Sequence, residues 1–128
     1  LQSARSIAEY FMEQLRHEPQ EHLMLAMFDN KSMLIGEKLL STGTSNAALI
    51  SARDIYRTAL QYQAAYVVVL HNHPSGNPEP SREDILVTRK IKACGELLDI
   101  LLMDHIIIGD NRYFSFREQD ILFEKGRD

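Results

Sequence analysis

The chain has 128 residues, 45% of them hydrophobic and 25% charged, with a formal net charge of −4. This suits one domain with one core, in the composition range of ordinary globular proteins, and excludes fibrous or strongly disordered classes. No run of Lys or Arg exceeds two residues, so the footprint of a nucleic-acid binder is missing, and the longest apolar run, Ala64 to Leu70, is too short to span a bilayer.

Ser3 caps a predicted first helix that carries Ala4, Ile7, Ala8, Phe11 and Leu15 at helical spacing, and Pro19 closes it. His22 to Phe28 reads as a strand, and Asp29-Asn30-Lys31 turns it into a second strand at Ser32 to Leu40. Thr42 to Ser45 is turn-like. Ser51-Ala52-Arg53-Asp54 resembles a capping box opening a helix to about Gln63, with Ile55, Ala59 and Leu60 facing inward and Tyr56 or Tyr62 at the margin.

Ala64 to Leu70 is predicted as a buried strand running straight into His71. Ser81 starts the next helix, whose apolar positions include Ile85, Thr88, Ile91 and Leu98, with Gly95 interrupting the pattern late. Ile100 to Ile108 is a further strand, and Gly109-Asp110-Asn111 turns it into Arg112 to Phe116. Ser115 to Glu118 can cap a short final helix. The order α-β-β-α-β-α-β-β-α, with its hairpin-like turns, predicts a mixed β-sheet flanked by helices, an α/β (α+β) fold, in a single domain over residues 1–128.

The chemistry concentrates between His71 and Asp84. Side chains at i and i+2 of a strand share a face, so His71 and His73 project together. Asp84 falls in the first turn of the next helix, where the dipole favours a carboxylate. Pro74, Pro78 and Pro80 stiffen the loop between them and lower the entropy of joining its ends. His-x-His alone is more often structural, and Ser-x-x-Asp alone is more often a helix cap. Together they make a three-ligand set with one position open, the pattern of a catalytic and not a structural zinc site.

A hydrolase also needs a base, and two upstream carboxylates come into question. Glu21 stands at the entrance of the first strand, whereas Asp54 sits at a helix start and is adequately explained as a cap. His17-Glu18-Pro19-Gln20-Glu21-His22 imitates the zinc-protease signature H-E-x-x-H, but its histidines are five apart and Pro19 would break the helix. His105 beside Asp104 reads as a core or near-site histidine. Cys94, the only cysteine, reads as a small buried hydrophobe; it permits no internal disulfide or thiolate cluster and fits a reducing, cytoplasmic setting. Tyr56, Tyr62 and Tyr66 read as packing residues, and Arg53 and Arg82 as solvated surface.

His-x-His, seven residues, then Ser-x-x-Asp resembles the JAMM metalloprotease motif of JAB/MPN domains. The wider text His71-Asn72-His73-Pro74-Ser75-Gly76 with Pro80-Ser81-Arg82-Glu83-Asp84 is similar to the bacterial RadC branch, as are Asp104-His105-Ile106-Ile107-Ile108-Gly109 and Gly43-Thr44. The resemblance covers essentially the whole chain. It implies a cytidine-deaminase-like fold in which His71, His73 and Asp84 bind Zn2+. It implies also that Glu21 shuttles the proton of the zinc water and that Ser81 helps stabilise the oxyanion. The deaminase reading itself is excluded, because it needs cysteine ligands that one Cys94 cannot provide. Asn72 stands where the eukaryotic pattern has Ser or Thr, which weakens any transfer of ubiquitin specificity.

The expected activity is therefore a zinc-dependent metallopeptidase or isopeptidase cleaving an amide bond in a peptide or protein. The alternative is a DNA-repair-associated interaction module without hydrolytic role, which the RadC name suggests; a scaffold with a vestigial site is a third, against which the intact ligand set argues. Direct nucleic-acid binding and membrane association are not expected. The chain begins at Leu1 and shows no helix-hairpin-helix region such as full-length members of that branch carry, so a fragment of a longer protein is expected.

Overall fold

The structure is a computed structural model that describes residues 3–43 and 51–123. Its elements are α1 (Ala4–Leu15), β1 (Glu21–Phe28), β2 (Leu34–Gly43), α2 (Ala52–Gln61), β3 (Tyr66–Asn72), α3 (Arg82–Leu98), β4 (Leu101–Ile108) and β5 (Tyr113–Ser115). The strands form one five-stranded sheet in the order β2-β1-β3-β4-β5. β1 pairs antiparallel with both β2 and β3, β3 pairs parallel with β4, and β4 pairs antiparallel with β5. The mixed sheet flanked by helices is the predicted fold class.

Strand alternation divides the core in two. Leu23, Leu25, Met27, Val67 and Val69 pack under α2 and α3. Met24, Ala26, Phe28, Val68 and Leu70 pack under α1. The two faces account for the continuous apolar texts of β1 and β3: helices cover both sides of the central strands. β4 needs one correction to join them. Val67 pairs with Leu102 but Val68 with Asp104, so Met103 is an extra residue. Before it, Leu102 faces the α2/α3 layer; after it, Ile107 does. That slip decides which way the later residues of β4 point.

The caps appear where the sequence puts them. Ser3, Ser51 and Ser81 each accept a hydrogen bond from the backbone three residues on. Four expectations change. Leu60 is 58% exposed while Tyr56 is 3% exposed. Leu60 lies about 100° round the helix from Ala59, off the stripe that Ile55, Tyr56 and Ala59 form. Leu98 is likewise exposed. Gly95 does not interrupt α3; it lets the helix approach the chain closely, since a Cβ there would stand 2.4 Å from the Tyr56 hydroxyl and 2.5 Å from the Ile100 carbonyl. β2 runs on through Ser41 and Thr42 to Gly43, where a turn is predicted; Thr44 and Ser45 lie outside the described residues.

The final helix is absent among the described residues. Ser115 does accept the Glu118 N–H at 3.0 Å, as a cap would. The chain then turns, with Asp120 and Leu122 at φ 57° and 70°, because Phe116 and Phe123 are both drawn into the core. Asp104 pins this segment to β4. Its Oδ1 accepts the His105 N–H at 2.7 Å and the Arg117 N–H at 3.0 Å, and its Oδ2 pairs with the Ser115 hydroxyl.

Burial pushes the Asp104 carboxyl up from 3.8 to about 6, outweighing the hydrogen bonds from Ser115, Arg117 and His105. A carboxyl raised on folding stabilises the fold most while protonated, and that stability is lost as pH rises from about 4 through about 6. At about 1.4 kcal/mol per unit, the loss is about 3 kcal/mol. Asp104→Asn keeps an acceptor for both N–H groups and offers Ser115 an uncharged amide. We expect urea unfolding to show wild type and Asp104→Asn alike near pH 4, with the variant the more stable above pH 6. Parallel curves across that range would contradict the assignment.

Candidate metal centre

His71 near the end of β3 and His73 just beyond it project on the face covered by α2 and α3. His71 is 1% exposed, and the His73 N–H continues the parallel ladder beyond the strand by donating to the Ile108 carbonyl at 2.9 Å. The chain leaves the sheet in a turn closed by Gly76 N–H to the His73 carbonyl at 2.9 Å, with Gly76 at φ 89°. The β4–β5 turn seats against it: Asp110 N–H donates to the Gly76 carbonyl at 2.9 Å, and a Cβ on Gly109 would stand 2.4 Å from that oxygen. The loop is thus held from outside as well as stiffened by its prolines.

At the start of α3, Ser81 and Asp84 form a reciprocal capping box. Asp84 N–H donates to Ser81 Oγ at 3.0 Å, and Ser81 N–H donates to Asp84 Oδ2 at 2.8 Å. The cap aims the buried carboxylate at the histidines. Asp84 Oδ1 lies 3.3 Å from His71 Nε2, Oδ2 lies 3.1 Å from His73 Nε2, and the two Nε2 atoms are 3.1 Å apart. Hydrogen bonds with His71 and His73 hold the Asp84 carboxyl well below the usual carboxylate range against the effect of its burial.

The donor set fits a divalent metal. His73 Nδ1 lies 3.0 Å from the Asn77 carbonyl. A carbonyl only accepts, so Nδ1 carries the hydrogen and the neutral ring presents a bare Nε2 to Asp84. Lone pairs of nitrogen and carboxylate that converge in this way repel unless a cation stands between them. Ligand atoms about 2.0 Å from a tetrahedral zinc are about 3.3 Å from one another, close to the edges observed here. With no metal the cation is a proton: burial opposes it, but the Asp84 carboxylate and the Asn77 carbonyl win, and the His73 pKa is raised.

Glu21 joins this group. It can offer an oxygen that, with one nitrogen each from His71 and His73, makes a set lying within 4.8 Å of one another. The register explains the meeting, because Leu23 pairs with His71 and the next position outward brings residue 21 opposite residue 73. Burial raises the Glu21 pKa; His71 and His73 oppose the shift and Asp84 adds to it. Asp54, the other carboxylate considered, is exposed and pairs with Arg57 at 2.8 Å. The structure therefore brings together His71, His73, Asp84, Ser81 and Glu21, and leaves Asp54 outside.

Two residues of this centre have positioning roles that sequence reasoning did not give them. Asn72, buried between the histidines, points to the opposite face. Its Oδ1 accepts the His22 N–H at 2.7 Å, and its Nδ2 donates to the Gln20 carbonyl at 3.0 Å and to that of Glu18 at 3.4 Å. It fastens the segment that carries Glu21. A buried amide at a strand end was the available signal. Thr88, predicted as a core position, donates to the Asp84 carbonyl at 2.6 Å and also contacts His105 Nδ1. His105 is fully buried and lies against the site, with Nε2 2.7 Å from His71 Nδ1; burial drives its pKa well down, and His71 adds to the effect.

The remaining structural readings hold except for Tyr62, which is exposed, and Cys94, which is only half-buried. The false H-E-x-x-H text lies beyond α1 and is not helical. Tyr56 donates to the Ile91 carbonyl at 3.0 Å, Tyr66 stacks on Phe28, and half-buried Cys94 packs against the core. Arg53 and Arg82 are exposed. No helix among the described residues is long and apolar enough to cross a membrane.

Comparison with known proteins matches residues 1–121 to the family described as the RadC-like JAB domain. A UPF0758 protein of Clostridium perfringens is 44% identical over 116 residues, covering 91% of this chain and 51% of the relative. One of Thermotoga maritima is 44% identical over 119 residues, covering 93% and 53%. One of Bacillus cereus is 38% identical over 119 residues with the same coverage. The chain spans about half the length of the curated relatives it matches.

The double use of the cap is open to test. Ser81→Ala removes the acceptor for Asp84 N–H, and we expect a loss of about 1 kcal/mol in urea unfolding. Ser81→Asp, which restores a capping acceptor, should recover most of that stability. An unchanged midpoint for Ser81→Ala would show that the capping bond does not hold the helix start.

Proposed function

The chain belongs to the RadC-like JAB domain family, and from that premise we propose that it is a zinc-dependent hydrolase of the metallopeptidase or isopeptidase type. The observation that carries the reading is the convergence of His71 Nε2, His73 Nε2 and the Asp84 carboxylate at 3.1–3.3 Å, with Glu21 alongside. His71, His73 and Asp84 would hold the metal. When bound, zinc supplies Lewis acidity for an amide carbonyl and brings the pKa of a water to about 7.

The chain's own residues supply the rest. Glu21, half-buried and with a raised pKa, takes the proton of the attacking water and returns it to the leaving amine. Its carboxylate stays within reach because Asn72 grips the backbone on either side of it. Ser81 uses its oxygen as acceptor in the cap, so its hydroxyl hydrogen serves to stabilise the oxyanion. The proposed substrate is a peptide or protein; the formal charge of −4 favours no direct contact with nucleic acid. The repair-module alternative has no feature of this site in its favour.

Metal analysis after purification at neutral pH should find one zinc per chain in the wild type and a marked loss in Asp84→Ala. Equal zinc in both proteins would remove Asp84 from the ligand set. Glu21→Gln should retain zinc yet cleave a peptide library about 10²-fold or more slowly. If the variant cleaves as fast as the wild type, Glu21 is not the base.

A further inference from the structure

The hydrogen-bond directions behind His71 can be read off one by one. Thr88 Oγ1 lies 2.6 Å from the Asp84 carbonyl oxygen. A carbonyl carries no hydrogen, so the Thr88 hydroxyl must donate there, and its single hydrogen is used. Thr88 Oγ1 also contacts His105 Nδ1, and with its hydrogen already placed it can only accept. His105 Nδ1 therefore carries a hydrogen. The His105 ring is fully buried, stacked on Phe116 with centroids 4.9 Å apart at 5°, and its two nitrogens meet Thr88 and His71 instead of a carboxylate. An unpaired cation there would be costly, so the ring is neutral and its Nε2 is bare. That Nε2 lies 2.7 Å from His71 Nδ1, which must then be the donor.

We infer that Thr88 and His105 are positioning residues: a directed chain from His71 Nδ1–H through His105 and Thr88 to the Asp84 carbonyl fixes the His71 tautomer and leaves its Nε2 bare toward the candidate metal. The reverse polarity would have Thr88 donate to His105 and leave a 2.6 Å oxygen–oxygen contact with no hydrogen in it. The chain begins at one proposed ligand and ends on the backbone of another, so it also ties β3 to α3 behind the site. His73 reaches the same tautomer by a separate route, through the Asn77 carbonyl. The two imidazoles are thus preset independently.

The shift in β4 at Met103 is what makes this arrangement possible. His105 pairs with Val69 and lies on the same face as His71; without the extra residue it would turn to the α1 side. The metal half of the inference rests on the hydrolase reading above, whereas the tautomer half stands on the metal-free protein.

The experiment is long-range 1H–15N correlation NMR of the metal-stripped protein at mildly alkaline pH, combined with zinc titration against a chelator. The wild type should show His71 as the Nδ1–H tautomer. Thr88→Val removes both donor and acceptor at nearly constant shape. It should redistribute the His71 and His105 tautomers and weaken zinc binding about 10- to 100-fold, the usual effect of losing a partner behind a ligand. Thr88→Ser, which keeps the hydroxyl, should restore both signals; a merely structural role would be answered as well by valine. An Nε2–H His71 in the wild type overturns the inference outright, whether or not any variant folds. So do unchanged tautomers and zinc affinity in Thr88→Val. An Nδ1–H His71 in a protein that takes up no zinc would keep the chain of donors and overturn the metal reading instead.

Discussion

Parallel pairing of β3 with β4, closed by α3 passing over the sheet, is the constraint on which the rest of the site depends. It brings the carboxyl end of β3 beside the amino end of α3. A strand end that must be left at once for a crossover turns its last side chains toward the crevice beside the helix start, and a helix start offers unpaired N–H groups and a dipole suited to a carboxylate. His71 and His73 arrive by the first route, Asp84 by the second. The turn from Pro74 to Pro80 only has to join them, and the β4–β5 turn braces it through Gly76 and Asp110. Convergence at 3.1–3.3 Å is therefore a consequence of topology before it is a matter of ligand chemistry.

Electrostatics then turns geometry into preference. Two imidazole nitrogens and a carboxylate aimed at one point store repulsion that only a cation relieves. The same carboxylate closes the cap, so its Oδ2 is fixed by the Ser81 backbone N–H and the group does not swing away to solvent. Preorganisation of this kind lets a site bind metal without ordering its ligands at the moment of binding, which is where flexible sites lose affinity.

Much of this was legible because the signals were local. Serine caps, the His-x-His spacing and the β-branched run of β3 each speak through neighbours in sequence. The unread features depend on distant partners. Nothing in Leu102-Met103-Asp104 announces that Met103 is an extra residue, since the shift exists only relative to β3. Leu60 looks like a core residue by type, and its exposure follows from the helix's rotation against the sheet. Ser115 gave the correct capping bond and still no helix, because Phe116 and Phe123 gain more by burial in the core than a last helical turn would supply. Thr88 was placed correctly as a core position, but its hydroxyl acquires a task only once His105 arrives from another strand.

Asn72 shows how the alternation of one strand divides labour. In His71-Asn72-His73 the outer residues face α3 and form the candidate ligand pair; the middle one faces away and holds the backbone from Glu18 to His22. A shorter or apolar residue there would leave the carbonyls of Glu18 and Gln20 without that donor and release the segment carrying Glu21. An acidic residue would set its charge against those same carbonyls. Asparagine offers an acceptor to His22 and donors to the others in one planar group. The ligands and the proposed base are thus positioned by opposite faces of three consecutive residues, so moving either set by one residue would dismantle both.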